Sequence, residues 1–185
     1  MPIICKPFVF VRHGETPLNR DKLIGGRSDV PLTEEGEWQA QEAGALLSRY
    51  RWSGIAVSPL LRARQTAELA LPDAPYAVFD GLRERDWGDL ELRPWSELTP
   101  YEETPPGGES WEAFCSRVVD ALNTILMQYE RPLVVAHSGV FRVLRRYALG
   151  TPYGARIGNV EPMWISPGQS ANEWRILPLE EADER

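Results

Sequence analysis

The chain contains two histidines, and each directly follows a short apolar run. Phe8-Val9-Phe10-Val11 leads into Arg12-His13-Gly14, and Leu133-Val134-Val135-Ala136 leads into His137-Ser138-Gly139. Residues just past the carboxyl ends of buried strands face the crevice where open α/β sheets bind ligands. An imidazole beside a guanidinium in that crevice suits phosphoryl transfer. The neutral ring nitrogen can attack phosphorus, while the arginine fork neutralises the equatorial oxygens and helps keep the histidine unprotonated. A second histidine at the same layer can donate hydrogen bonds to the transferring group, and a carboxylic acid can protonate the leaving alkoxide. Glu84, Asp86 and Glu15 are the candidate acids. A third strand end, from Ser58 to Arg62, adds another arginine. Taken alone, Arg62 reads as a solvated helix arginine, while Glu84, between Arg83 and Arg85, reads as catalytic ahead of its alternative, one member of an exposed charge cluster. Two histidines with carboxylates also suit a metal, but no HExxH or comparable ligand spacing occurs, so no metal site is expected.

These residues need a scaffold of alternating strands and helices, and the sequence supplies one. The runs at residues 8–11, 54–57 and 133–136 read as buried strands, with a weaker one at 77–79. Thr33 caps a helix with Glu34, Glu35 and Glu37 in its first turn, where the helix dipole favours negative charge. Trp38, Ala43, Leu46, Leu47 and Tyr50 mark one face of it. A second helix runs from Pro59 to about Leu71 and is closed by Pro72. Ser110 starts a third, with Trp111, Phe114, Val118, Ala121, Leu122 and Ile125 at helical spacing. A fourth carries Val140, Val143, Leu144, Tyr147 and Ala148 on one face and stops at Gly150. Two late strands, near 163–165 and 174–177, flank a Pro167-Gly168 turn. The stretch from Asp80 to Gly108 reads as a long ordered loop, a class often functional. Its tryptophans, Trp87 and Trp95, and the neighbouring Trp111 read either as a pocket wall or, more often for such aromatics, as core. The tail from Glu180 to Arg185 reads as frayed. Strand-helix alternation implies an α/β fold of three layers, α/β/α, around a mainly parallel sheet. No linker or repeat interrupts residues 1–185, which are expected to form a single domain.

Composition removes several classes of function. Twenty basic and 27 acidic side chains give a net charge of −7, which argues against a broad nucleic-acid face. No apolar run approaches the ~20 residues needed to span a bilayer, so no membrane partner is expected. The opening segment lacks the small-residue cleavage site of a signal peptide and reads as the approach to the first strand. Cys5 and Cys115 cannot build a disulfide framework or a zinc site, and a cytoplasmic location is expected.

Several blocks, taken in order, resemble one family. Arg12-His13-Gly14-Glu15-Thr16 is similar to the RHG signature of the histidine phosphatase superfamily, which includes cofactor-dependent phosphoglycerate mutases and related phosphatases. Asn19, Gly26, Asp29, Pro31-Leu32-Thr33, Gly36 and Gln39-Ala40 resemble the stretch that follows it in the bacterial phosphatase branch. Ser58-Pro59-Leu60 with Arg62-Ala63 and Gln65-Thr66-Ala67 resembles the second block. Leu82, Glu84 and Gly88 resemble the block holding the proton donor, and Gly108-Glu109-Ser110 and His137-Ser138-Gly139 the two that follow. The resemblance implies a phosphoglycerate mutase-like fold in which His13 becomes phosphohistidine. Arg12, Arg62 and His137 would form the phosphate pocket, Asn19 and Ser138 would add phosphate contacts, and Gly26 would contact substrate. Glu84 would serve as general acid and then base. No metal and no organic cofactor are implied, and the ligand would be a small phosphorylated metabolite.

The interval from Glu84 to His137 lacks the insertion with basic residues that holds the substrate carboxylate in the mutases. Its shortness favours water over a second hydroxyl as phosphoryl acceptor, hence a metal-independent phosphomonoesterase. A phosphoglycerate mutase is the alternative, and a noncatalytic binding member of the same fold is the second. The late apolar strand near Trp164 reads either as internal sheet or as an edge contact of a homodimer.

Overall fold

The short apolar runs pair into one six-stranded sheet in the computed structural model, which describes residues 1–170 and 173–182. Its strands are β1 (Phe8–Arg12), β2 (Ile55–Val57), β3 (Ala77–Val78), β4 (Leu133–Ala136), β5 (Met163–Pro167) and β6 (Trp174–Pro178). They lie in the order β3-β2-β4-β1-β5-β6. The first four in that order run parallel, β5 is antiparallel to β1, and β6 reverses again. The sheet is therefore mainly parallel.

Alternation along β1 splits the core between the two faces, because successive side chains of a strand point to opposite sides. Phe8 and Phe10 pack with Phe114 and Leu122 of α4 (Trp111–Gln128) and Val140 and Leu144 of α5 (Ser138–Leu149). Val9 and Val11 pack with Leu47 of α2 (Glu34–Leu47) and Ala63 and Ala67 of α3 (Leu61–Ala70). Helices on both faces complete the three layers, and a strand buried on both sides has to be apolar throughout.

The caps fall where the sequence places them. The Thr33 hydroxyl accepts from the Gly36 amide, the Ser110 hydroxyl accepts from Ala113, and α5 stops at the left-handed Gly150. The expected face of α2 holds at Leu47, which is buried, and at Ala43, Leu46 and Tyr50, which pack against the core, but not at Trp38. Trp38 is 55% exposed, while Gly36, Ala40 and Leu47 are buried. The reason is close helix packing: a Cβ on Gly44 would fall on the Ala70 carbonyl of α3, so the line of contact needs small residues. Trp38 lies two positions from Gly36, about 200° around the helix at 3.6 residues per turn. Tyr147 likewise reaches solvent, at 37% exposure, as α5 leaves the sheet.

The 80–108 segment is ordered by three 3₁₀ turns, Asp80–Leu82, Gly88–Leu90 and Trp95–Glu97, that periodicity does not reveal. It is tied to the segment after the first strand: Ile24 N donates to Arg93 O at 2.7 Å and Trp95 N to Lys22 O at 2.9 Å. A one-turn helix, α1 (Pro17–Arg20), also escaped the sequence reading. Trp164 lies in β5, which is paired on both sides, so the internal-sheet alternative holds and β6 forms the edge. Pro167 closes β5 and Gly168 N donates to Glu173 O at 2.6 Å. Residues expected to fray begin instead with a turn of helix, α6 (Leu179–Ala182), and 183–185 lie outside the described residues. Among the described residues no helix is long and apolar enough to cross a membrane.

Candidate active site

The register of β1 on β4, with Arg12 opposite Ala136, sets the two histidines side by side at the carboxyl ends of adjacent parallel strands. Their ring centroids are 5.3 Å apart. His13 N donates to Ala136 O at 3.0 Å, and its Nδ1 lies 2.7 Å from the Gly14 carbonyl oxygen. A carbonyl can only accept, so Nδ1 carries the proton and Nε2 keeps its lone pair. The loop that bears His13 is pinned from below. Gly14 N donates to Thr66 Oγ1 at 2.9 Å, and a Cβ on Gly14 or on Gly36 would meet the backbone of the other segment where the two cross. Burial pushes the His13 pKa well down, and Arg62 and Arg12 push it the same way, so the ring is neutral at pH 7.

Arg12 and Arg62 are buried, at 5% and 3% exposure, which removes the solvated-arginine reading of Arg62. Neither is held by a carboxylate. Arg12 Nη1 donates to Ile157 O at 2.8 Å; Arg62 Nη1 and Nη2 donate to Ser28 O and Gly26 O at 2.7 and 2.8 Å. Carbonyl anchoring fixes each guanidinium without neutralising it. Burial, with Arg156 and Arg62 nearby, lowers the Arg12 pKa to about 10, so the group stays charged at pH 7. Arg12 Nε and His137 Nδ1 are buried with no protein partner. His137 is fully buried behind the cavity wall, and its Nε2 lies 2.7 Å from Ser58 Oγ. Burial, followed by Arg62, holds its pKa well below that of a free imidazole.

Glu84 is buried, not part of an exposed cluster. Oε1 accepts from Arg85 N at 2.8 Å and Oε2 from Gly139 N at 3.0 Å. Gly139 leaves the needed space, since a Cβ there would fall on the Glu84 carboxylate. Burial raises the Glu84 pKa against the opposing pull of these amides and of Arg62 and Arg12. The other two acids are engaged elsewhere. Glu15 accepts from the Thr33 hydroxyl at 2.9 Å, and Asp86 accepts from Gly88 N at 2.8 Å and lies 3.7 Å from Arg27.

One cavity brings Arg12, His13, Asn19, Arg62, Glu84 and Ser138 together. It is narrow, with a cavity volume of about 70 Å³. Asn19 Oδ1 accepts from Thr16 N in the capping box of α1, at 3.1 Å, and from Asn159 Nδ2 at 3.3 Å, which leaves its amide nitrogen for a ligand. Gly26, expected to contact substrate, does not line the cavity. Its carbonyl holds Arg62 and its amide donates to Glu91 at 3.0 Å, while Gly25 takes the place on the wall. The physical reason is that the glycine lies between Arg62 and the Arg85 carbonyl, where any Cβ would clash.

The sequence offered Trp87 and Trp95 as a candidate pocket wall, but Tyr101, Arg156 and Asn159 went unnoticed. Trp87, Trp95, Tyr101 and Arg156 line the upper wall, and Asn159 Nδ2 donates to His13 O at 2.9 Å. These residues share no period or motif, and only the pairing of residues 22–24 with 92–95 and the return of the chain after α5 bring them in. Among the described residues no group of three or more His, Cys, Asp or Glu side chains is arranged to hold a metal.

The model of the histidine phosphatase superfamily (branch 1) matches residues 8–162. The chain belongs to that superfamily. It is 35% identical over 150 residues to the uncharacterized phosphatase PhoE of Bacillus subtilis (strain 168), covering 78% of this chain and 76% of that one. Among solved structures, the α-ribazole phosphatase of Shigella flexneri superposes with a TM-score of 0.80 at 28% identity, over 94% of this chain and 95% of that one. A phosphoglycerate mutase from Thermus thermophilus superposes with a TM-score of 0.72 at 35% identity, over 92% and 96%. The relatives of this histidine phosphatase superfamily member thus carry the names of phosphatases and of mutases on one phosphoglycerate mutase-like fold.

Proposed function

We propose that the protein is a metal-independent phosphomonoesterase that hydrolyses a small phosphorylated metabolite through a phosphohistidine on His13. The reading rests chiefly on the His13 ring, whose Nδ1 is committed to the Gly14 carbonyl so that Nε2 is the nucleophilic atom, between two arginines anchored by carbonyls. The His13 Nε2 lone pair forms a bond to phosphorus as the bond from phosphorus to the ester oxygen breaks. Glu84, whose pKa burial raises, gives that oxygen its proton from its acid form. The resulting carboxylate then takes a proton from water, whose oxygen attacks phosphorus and releases Nε2. Arg12 and Arg62 neutralise the phosphoryl oxygens throughout, and with Ser58 donating to Nε2, His137 offers Nδ1–H as a further donor. Asn19 and Ser138 complete the phosphate contacts in this reading. No step needs a metal or an organic cofactor.

The likeness to the Thermus thermophilus structure favours a second reading, a phosphoglycerate mutase. One experiment separates them: release of phosphate from a panel of phosphomonoesters in chelator, with native protein and a folded His13→Ala variant. The expected result is release by the native protein and a loss of about 10⁴-fold or more in the variant. Equal rates in the two proteins would reject the phosphohistidine route. Absence of release, with isomerisation of 3-phosphoglycerate primed by 2,3-bisphosphoglycerate, would establish the mutase instead.

A further inference from the structure

The cavity carries one more positive charge than the chemistry uses. A phosphate monoester dianion is matched by Arg12 and Arg62, and Glu84 is uncharged when it acts as the acid. Arg156 also lines the cavity, at its exposed upper wall. Its guanidinium lies over the Trp95 ring, 3.9 Å from the centroid. Stacking on an aromatic face orients an arginine while leaving the edge donors unused. Among the described residues no carboxylate lies within ion-pair distance of Arg156, although acidic side chains outnumber basic ones across the chain.

The group is also held in place on both sides. The carbonyl of the next residue, Ile157, anchors Arg12, and Arg142 Nη1 donates to Pro152 O and Gly154 O just upstream, at 3.1 and 2.8 Å. Trp95 is fixed in turn by its Nε1, which donates to Leu23 O at 2.8 Å. An oriented, unpaired guanidinium facing the same narrow cavity as the phosphate arginines is an anion site. Its nearness to Arg12 agrees with the lowering of the Arg12 pKa, to which burial contributes most and Arg156 next.

We propose that Arg156, laid on Trp95, is a second anion-binding group that selects phosphomonoesters bearing a further negative group, a carboxylate in the simplest case, close to the ester. This deepens the phosphomonoesterase reading and rests on it.

The test compares matched esters that differ in that one charge: phosphoglycolate with ethyl phosphate, and 3-phosphoglycerate with glycerol 1-phosphate. Native protein should favour the anionic member of at least one pair by about tenfold or more in kcat/KM, carried mainly by KM. Arg156→Met, which keeps an apolar stem on Trp95 without the charge, should bring that ratio to about one, and Arg156→Lys should restore part of it. Equal use of both members by native protein, or an unchanged ratio in Arg156→Met, would overturn the proposal. The latter result would make Arg156 a brace for the Trp95 segment alone. Calorimetric binding of phosphonoacetate and ethylphosphonate reads the same preference without turnover. If no ester is hydrolysed, the esterase reading fails. Tighter phosphonoacetate binding, lost in Arg156→Met, would then still support the anion site, and equal binding would reject it.

Discussion

His13 and Glu84 are each held by backbone atoms rather than by other side chains. The Gly14 carbonyl fixes the His13 tautomer, and two backbone amides hold the Glu84 carboxyl in a buried position that raises its pKa. A pH dependence follows. In the proposed mechanism the first step uses the acid form of Glu84, so kcat/KM should fall about tenfold per pH unit above its raised pKa. The fall should be steep for alkyl esters and shallow for an aryl ester whose leaving group needs no proton. Glu84→Ala should cost alkyl esters about 10² to 10⁴ and the aryl ester far less, measured as kcat/KM across pH. Glutamine is the poorer probe, because both carboxylate oxygens already accept N–H groups and an amide nitrogen would face one of them. Both histidines are lowered, so they stabilise the fold where neutral, and that contribution is lost as pH falls below the free-imidazole value toward their own. Melting temperature should therefore drop between about pH 6.5 and 5, and less steeply in His13→Asn; an unchanged slope would show that His13 is not held neutral by the fold. At this scale His13, Arg12 and His137 were legible as strand-end residues. The burial of Arg62 and Glu84 was not, because a charged residue between charged residues looks solvated until tertiary packing encloses it.

Elements position these groups through close approaches that only small residues allow. Gly139, in the first turn of α5, both donates to Glu84 and leaves the space that its carboxylate occupies. Gly139→Ala should leave the fold intact, since α5 tolerates alanine, while displacing Glu84 by about an ångström. A displacement of that size costs about 10² in kcat for alkyl esters, with circular dichroism unchanged; wild-type kinetics would mean that Glu84 is not held through Gly139. The helices themselves were readable from caps and apolar spacing. On α2 the Leu46 and Leu47 side of the buried face was readable as well, but the part made by Gly36, Ala40 and Gly44 was not, because these carry too little hydrophobicity to outweigh Trp38 in a periodic pattern, yet they are what close contact with α3 requires. The 3₁₀ turns of the 80–108 segment were hidden for a related reason: single turns of three residues have no period to detect.

Across the whole molecule, the site depends on the sheet between its two helical layers. Phe10 is fully buried in the strand that ends at Arg12, with its ring 5.6 Å from that of Phe141. Phe10→Ala should cost about 3–5 kcal/mol in denaturant unfolding; a loss under about 1 kcal/mol would mean that the core beneath the site is not closely packed. The strand order was only partly legible, since alternation implies a parallel sheet but says little about the antiparallel return of β5 beside β1. The floor of the cavity stands on strand ends that the entire sheet holds in register, whereas its roof is two separate stretches, residues 87–101 and 152–159, meeting at Trp95 and Arg156. A substitution at Trp95 or Arg156 therefore changes what the cavity admits without touching the paired strands that carry Arg12 and His13.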